Sequence, residues 1–292
     1  MGRARKISEE LTRIRVSFCI AVLVIGILGS GVLSVNAQEV IIERLSPQEI
    51  QQIGEMVFKN ECASKDENLI AWNEGENFMS LGIGHFIWHP ANMKDSFEES
   101  FAKYIEYAKS SGEKVPAWLD SAPFPACPWN SRIEFLNAQS DGRLAELKEF
   151  LVRTKPMQAA FIVKRLQESL PLMLKSAVES TRDKIAMQFN RVASTAPGVF
   201  ALADYVNFKE FGIASGENYQ GKGWGLFQVL ARMRGATEAP DALGEFIRSA
   251  NLVLEERVQN SPLSRNEQRW LPGWQQRINS YINKEEKVCL QD

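Results

Sequence analysis

Histidine is scarce in this 292-residue chain: His85 and His89 are the only two. Four residues apart, they would suit a metal on one helix face. The glutamate of an H-E-x-x-H motif is missing, however, the stretch has strand character, and Pro90 follows. His85 is therefore expected to be structural, fixing its hairpin through a carboxylate contact, and no metal or organic cofactor is expected. A charge excess is also missing. With 34 basic and 36 acidic side chains the formal charge is −2, which excludes the broad basic field of a nucleic-acid-binding surface. Internal repeats and low-complexity linkers are absent, and the mix of 45% apolar and 24% charged residues is that of a globular protein.

Long hydrophobic runs are confined to the N-terminus. Arg3, Arg5, Lys6, Arg13 and Arg15 precede an apolar run from Val16 to Leu33, after which Ser34-Val35-Asn36-Ala37 leads into polar Gln38-Glu39. Small or apolar residues at 35 and 37 fit a signal-peptidase site, so residues 1–37 are read as a signal peptide cut after Ala37. An uncleaved anchor is the alternative, and both readings put the main body outside the cytoplasm, periplasmic or secreted. No later segment is long and apolar enough to span, so no membrane contact is expected beyond the leader. Cysteine is sparse. Cys19 lies in the leader, leaving Cys62, Cys127 and Cys289. Cys289 sits in a polar tail, so a Cys62–Cys127 disulfide is expected, with three unpaired thiols as the alternative.

The remaining 38–292 read as a single domain. Ser46-Pro47 with Glu49 starts a helix whose Ile50, Ile53, Met56 and Val57 share one stripe, running to about Asn60. Two short apolar runs, Leu69–Trp72 and Phe78–Trp88, flank the polar turn Asn73–Asn77 and predict a β-hairpin. A capping box at Ser96–Glu99 predicts the next helix, with Phe101, Tyr104, Ile105 and Ala108 on one face. A loop with four prolines spans Val115 to Trp129, and a second capping box at Ser131 opens a helical segment through Leu151. Further helices are expected at about 156–179, 182–194, 198–209, 223–234, 241–258 and 265–283. One strand-bearing element in a helical chain predicts an α+β fold, predominantly helical, with a small hairpin lobe beside a larger helical one.

The chemistry-bearing stretch begins with Glu61 at the end of the first helix and continues as Trp72-Asn73-Glu74-Gly75-Glu76-Asn77-Phe78-Met79-Ser80-Leu81-Gly82-Ile83-Gly84-His85. It supplies one carboxyl on a helix end, a second on the hairpin turn and a hydroxyl six residues later. At two residues per pleat, 74 and 80 project to the same side if the strand stays regular. Two carboxyls facing each other across a cleft are what glycosidic cleavage requires, one donating a proton and the other staying ionised.

These residues resemble those of the bacteriophage-type lysozymes, muramidases that cut peptidoglycan. The family signature is a helix ending in Glu, a hairpin Asp, a Thr six residues on, and a closing Gly-x-Gly-His. It is matched here by Glu61, Glu74, Ser80 and Gly82-Ile83-Gly84-His85. Ala201–Phe208, with Asn207 near its end, resembles the family's core helix. Pro262–Trp270 with Trp274 and Arg277 resembles its closing Arg-rich helix. The likeness runs in order from about 47 to 281, with a helical insertion at about 95–180 that has no counterpart. It implies a lysozyme-like fold and an inverting hydrolysis of the β-1,4 link between N-acetylmuramic acid and N-acetylglucosamine. In that scheme Glu61 is the general acid, its proton retained by apolar neighbours, while Glu74 and Ser80 hold the attacking water. The implied carboxyl separation is about 6.5–9.5 Å. Gly84, His85, Trp72 and Asn207 are the implied substrate-binding residues, and peptidoglycan glycan strands the implied partner.

The sequence departs from the family in having Glu for Asp at 74, Ser for Thr at 80, and a carboxyl spacing longer by some four residues. Two alternatives follow. Gly223-Trp224-Gly225-Leu226-Phe227-Gln228 is similar to the Gly-Leu-Met-Gln element of lytic transglycosylases, with Glu210 as the lone acid. A protein that keeps the cleft without the chemistry, as an inactive wall-binding or interaction module, is the other.

Overall fold

The computed structural model describes residues 41–91, 93, 99–214, 216–237 and 240–282. Residues 1–37, read above as a signal peptide, and Cys289 lie outside the described residues. The chain is predominantly helical with a small antiparallel sheet, as an α+β fold. After a short helix α1 (Ile41–Arg44), α2 (Pro47–Cys62) opens on a capping box. The Ser46 hydroxyl accepts from the Glu49 amide at 3.2 Å, and the Glu49 carboxylate accepts from the Ser46 amide at 2.7 Å. Ile50, Ile53 and Val57 are buried along its inner stripe. Ala63 and Ser64 are both left-handed and stop the helix, so Glu61 occupies its last turn.

Three strands follow in the order β1 (Ile70–Ala71), β2 (Met79–Leu81) and β3 (Phe86–Trp88), all antiparallel. The expected second arm, Phe78–Trp88, is two strands because the chain reverses at Gly82–His85. Gly82 has φ +71°, and a Cβ there would lie 2.4 Å from the Gln158 side-chain oxygen. His85 is itself left-handed at φ +47°. The pairs Ala71↔Ser80 and Ser80↔Ile87 set one sheet face, while Leu81, Phe86, Met79 and Trp88 are buried on the other.

Helix α3 (Ser100–Ser110) covers that buried face: Phe86 stacks on Tyr104 at 5.1 Å and Trp88 meets Phe101 at 5.1 Å. It starts three residues later than the capping box at Ser96 predicts. Glu99, the residue before it, instead accepts from the His89 amide at 3.0 Å, and residues 96–98 lie outside the described ones. The segment expected as one helix from Ser131 is two, α4 (Arg132–Asn137) and α5 (Gly142–Arg153), the second capped by Asp141.

Next come α6 (Lys155–Ser176), α7 (Glu179–Val192), α8 (Ala196–Lys209), α9 (Leu226–Arg232), α10 (Ala242–Asn260) and α11 (Leu271–Asn279), with a two-stranded ribbon of β4 (Asn218–Tyr219) and β5 (Lys222–Gly223) before α9. The closing helix is shorter than expected because 263–269 form 3-10 turns. Helix α6, inside the stretch read as an insertion, packs directly on α2, where a Cβ on Gly54 would meet Ala159 Cβ at 2.5 Å. Helix α8 is apolar on nearly every side and touches α2, α6, α7, α9 and α10, so it forms the centre of the helical layer. Among the described residues no helix is long and apolar enough to cross a membrane.

Candidate active site

Glu61 is where the two lobes meet. Asn207, from the end of α8, donates to its Oε1 at 2.9 Å, and the Arg277 guanidinium of α11 donates to the same oxygen. His85 Nδ1, from the turn after β2, lies 3.3 Å from Oε2. Four segments spread over most of the chain thus converge on one carboxyl, whose side chain is only 11% exposed. The last turn of a helix is an unfavourable place for negative charge, because the free carbonyl ends point there. The Asn207 and Arg277 donors on Oε1 offset that cost. Apolar neighbours are what the resemblance implies for a general acid; the surroundings found are polar and charged instead.

Arg277 is fixed from behind by Asp204. The Asp204 carboxylate is fully buried at the centre of α8 and accepts from Arg277 Nε and Nη2, both at 2.8 Å, from the Tyr281 hydroxyl at 2.7 Å and from Asn60 Nδ2 at 3.1 Å. Burial works against the Arg277 charge, but Asp204 and Glu61 outweigh it and hold the guanidinium above its ordinary value. One cation is therefore shared by two carboxylates, and Asp204 takes the larger part of it. Burial and the same carboxylate push the Tyr281 hydroxyl well above its usual range, so it remains a donor.

The hairpin end is held by another buried polar group. Gln158, in α6, accepts from the Ile83 amide at 2.8 Å and donates to the Leu151 carbonyl at 2.7 Å and to Thr154 Oγ1 at 3.1 Å. It fixes the Gly82–His85 turn and with it His85. Asp204, Asn60, Tyr281 and Gln158 were not singled out from the sequence. A lone Asp inside the apolar run Val199–Val206 was the available signal for one of them.

Glu74 is exposed on the loop joining β1 to β2. That loop breaks the strand regularity on which the 74/80 alignment rested. Its neighbour Glu76 is committed, accepting from Asn73 Nδ2 at 3.0 Å, with the Trp72 indole N–H bonded to its carbonyl at 2.8 Å. Glu74 is thus the acidic side chain of the turn with no hydrogen bond or ion pair among the described residues. Ser80 is nearly buried, on the sheet face shared with Ala71 and Ile87. Trp72 and Gly84, implied as substrate-binding, are buried and shape the hairpin lobe without exposing a surface.

The expected Cys62–Cys127 disulfide is not formed; both thiols are free and buried. Cys62 lies 3.7 Å from the Gly82 carbonyl and 3.9 Å from His85 Nε2, at the turn joining β2 to β3, whereas Cys127 contacts the Met79 sulfur at 3.2 Å at the other end of that strand pair. Burial pushes each thiol up to about 12, so neither is a nucleophile at neutral pH. Among the described residues no group of three or more His, Cys, Asp or Glu is arranged to hold a metal ion.

The Gly223–Gln228 element has a packing role. It runs from β5 into α9, where the Leu226 and Phe227 amides donate to the Glu210 and Phe211 carbonyls, both at 3.0 Å, and Gln228 Nε2 donates to the Gly212 carbonyl at 2.9 Å. Glu210 caps α8 with φ +61°. No protein-family model matches the chain, and neither a curated protein nor a solved structure matches it significantly.

Proposed function

We propose that the chain is an exported, lysozyme-like glycosidase that hydrolyses the β-1,4 bond between N-acetylmuramic acid and N-acetylglucosamine in peptidoglycan, with Glu61 as proton donor. One observation carries the reading. Glu61, His85, Asn207 and Arg277 are positions that the family resemblance picks out from separate stretches of the sequence, and their side chains meet at one carboxyl.

In the proposed reaction Glu61, protonated on Oε2, gives its proton to the glycosidic oxygen as the bond to the anomeric carbon breaks. Asn207 and Arg277 bond the other oxygen and hold the group in place. Arg277 is itself held from behind by Asp204, which fixes where it meets Glu61. Glu74, exposed and uncommitted, is the carboxylate that stays ionised and takes a proton from the water attacking the opposite face of the sugar; Ser80, buried in the sheet, does not reach that water. Both carboxyls exchange protons with solvent after product release.

Digestion of purified sacculi with residues 38–292, followed by analysis of the soluble fragments, tests the reaction class. Muropeptides with reducing ends are expected. Fragments ending in 1,6-anhydromuramic acid would move the chemistry to a transglycosylase acting through Glu210. Binding to sacculi without any release would leave a wall-binding module.

A further inference from the structure

The α11 side of the molecule carries aromatic and cationic groups that the proposed reaction leaves unused. Trp270 is 42% exposed and is the aromatic among the large exposed hydrophobics of the described residues. Its ring lies 6.1 Å from that of Trp274, which in turn meets Phe208 at 6.4 Å. The Arg277 guanidinium, bonded to Glu61, sits 4.4 Å from the Phe208 ring. Rings and guanidinium thus form one chain of contacts leading from solvent to the Glu61 carboxyl. Trp270, which caps α11, shares one face with Trp274 and Arg277 of that helix, and the seven steps from first to last span about 10 Å.

The platform is rigid from beneath. Lys209 Nζ lies 3.5 Å from the Trp274 ring centre, and Arg257 stacks on Trp224 at 4.0 Å. Arg257 is bound in turn by buried Glu267 at 2.8 and 2.9 Å, which also accepts from the Tyr219 hydroxyl at 2.8 Å. The outer edge is cationic. Arg269 lies over the Trp270 ring at 4.6 Å, and the Arg265 side chain, 60% exposed, lies over the Tyr219 ring at 5.8 Å. Glu267, in the turn just before α11, is buried and already committed to Arg257.

A pyranose offers a C–H face that packs on an indole, and a carboxylate on the same strand matches a stacked guanidinium. We propose that Trp270, Trp274 and Arg269 form a binding subsite for anionic glycan, with a sugar ring against the exposed indole and a carboxylate of the same strand against Arg269. The choice of glycan as ligand rests on the peptidoglycan reading above; the subsite itself needs no cleavage.

Binding isotherms on purified sacculi, and on N-acetylglucosamine oligomers that lack carboxylates, test it with the wild type, Trp270→Ala, Trp270→Phe and Arg269→Gln. Trp270→Ala should weaken both ligands by about tenfold, and Trp270→Phe should restore most of that loss. Arg269→Gln should weaken sacculi by about fivefold and leave the neutral oligomers unchanged. Because these side chains lie at the surface, unchanged thermal unfolding will show that the variants fold. Trp270→Ala and Arg269→Gln binding sacculi within about twofold of wild type would overturn the subsite. Cleavage by wild type in that case would leave the glycosidase standing. Conversely, Trp270-dependent binding without cleavage would keep the subsite and remove the enzyme.

Discussion

Asp204 grips Arg277 through two 2.8 Å hydrogen bonds while the same guanidinium reaches forward to Glu61. The rear carboxylate is inaccessible and the forward one lies at the junction of the lobes, so the three groups act as a lever fixed at one end. Losing the fixed end should cost more than losing a surface ion pair.

Asp204→Asn removes the buried countercharge and turns a donor toward Arg277. Breaking one side of a buried pair costs about 3–5 kcal/mol. Urea unfolding should show a loss of that order, and the turnover of surviving protein should fall because Arg277 no longer holds Glu61. An unfolding midpoint equal to wild type would mean that Asp204 does not anchor the site.

Gln158→Leu leaves the Ile83 amide buried without an acceptor, at a cost of about 1–3 kcal/mol. Gly82→Ala at the same turn meets both a left-handed backbone and the Gln158 oxygen. Both variants should unfold at lower denaturant, and each should lose activity through the displaced His85. Wild-type activity in a destabilised Gln158→Leu protein would separate the turn from the site.

The two turn glutamates differ in commitment, which makes a paired comparison informative. Glu74→Gln should lower the rate of wall cleavage by about a hundredfold, the usual scale for a general base. Glu76→Gln should change it by no more than about threefold, because its carboxylate only braces Asn73. Equal effects would remove Glu74 from the role.

Acid stability has an identifiable source in the turn before α11. Burial works against the Glu267 charge, but hydrogen bonds from Arg257 and Tyr219 outweigh it and hold the carboxyl below its ordinary 4.5. A depressed native value contributes stability that is complete above about pH 4.5 and is lost as pH falls through the native value. Unfolding free energy measured from pH 7 to 3 should therefore decline below pH 4.5. Glu267→Gln should be less stable at pH 7 and show a shallower decline.

Helical periodicity exposed much of the fold to reading. The stripe Ile50–Val57 and the face Phe101–Ala108 are buried as the spacing predicts, because local patterning suffices for an amphipathic helix. The hairpin was legible, but not the division of its second arm into two strands, since the reversal at Gly82–His85 is held by Gln158, 75 residues from the Ile83 amide it binds. Glu61 and His85 were legible through a motif, and Asn207 and Arg277 through weaker likenesses downstream. Asp204, Tyr281 and Gln158 were not, because nothing local separates a buried polar group with distant partners from an exposed one. The cysteines misled for a related reason: their count permits a bridge, but only the fold puts Cys62 and Cys127 at opposite ends of the β2–β3 pair.

The most direct measurement is the initial rate at which purified residues 38–292 and the Glu61→Gln variant release reducing ends from sacculi. The amide that replaces the carboxyl can still accept from Arg277 and Asn207 but has no proton to give. Wild type should release reducing ends, and Glu61→Gln should lose about a hundredfold or more of that rate with its thermal unfolding intact. An intact Glu61→Gln protein that works as fast as wild type would contradict the account.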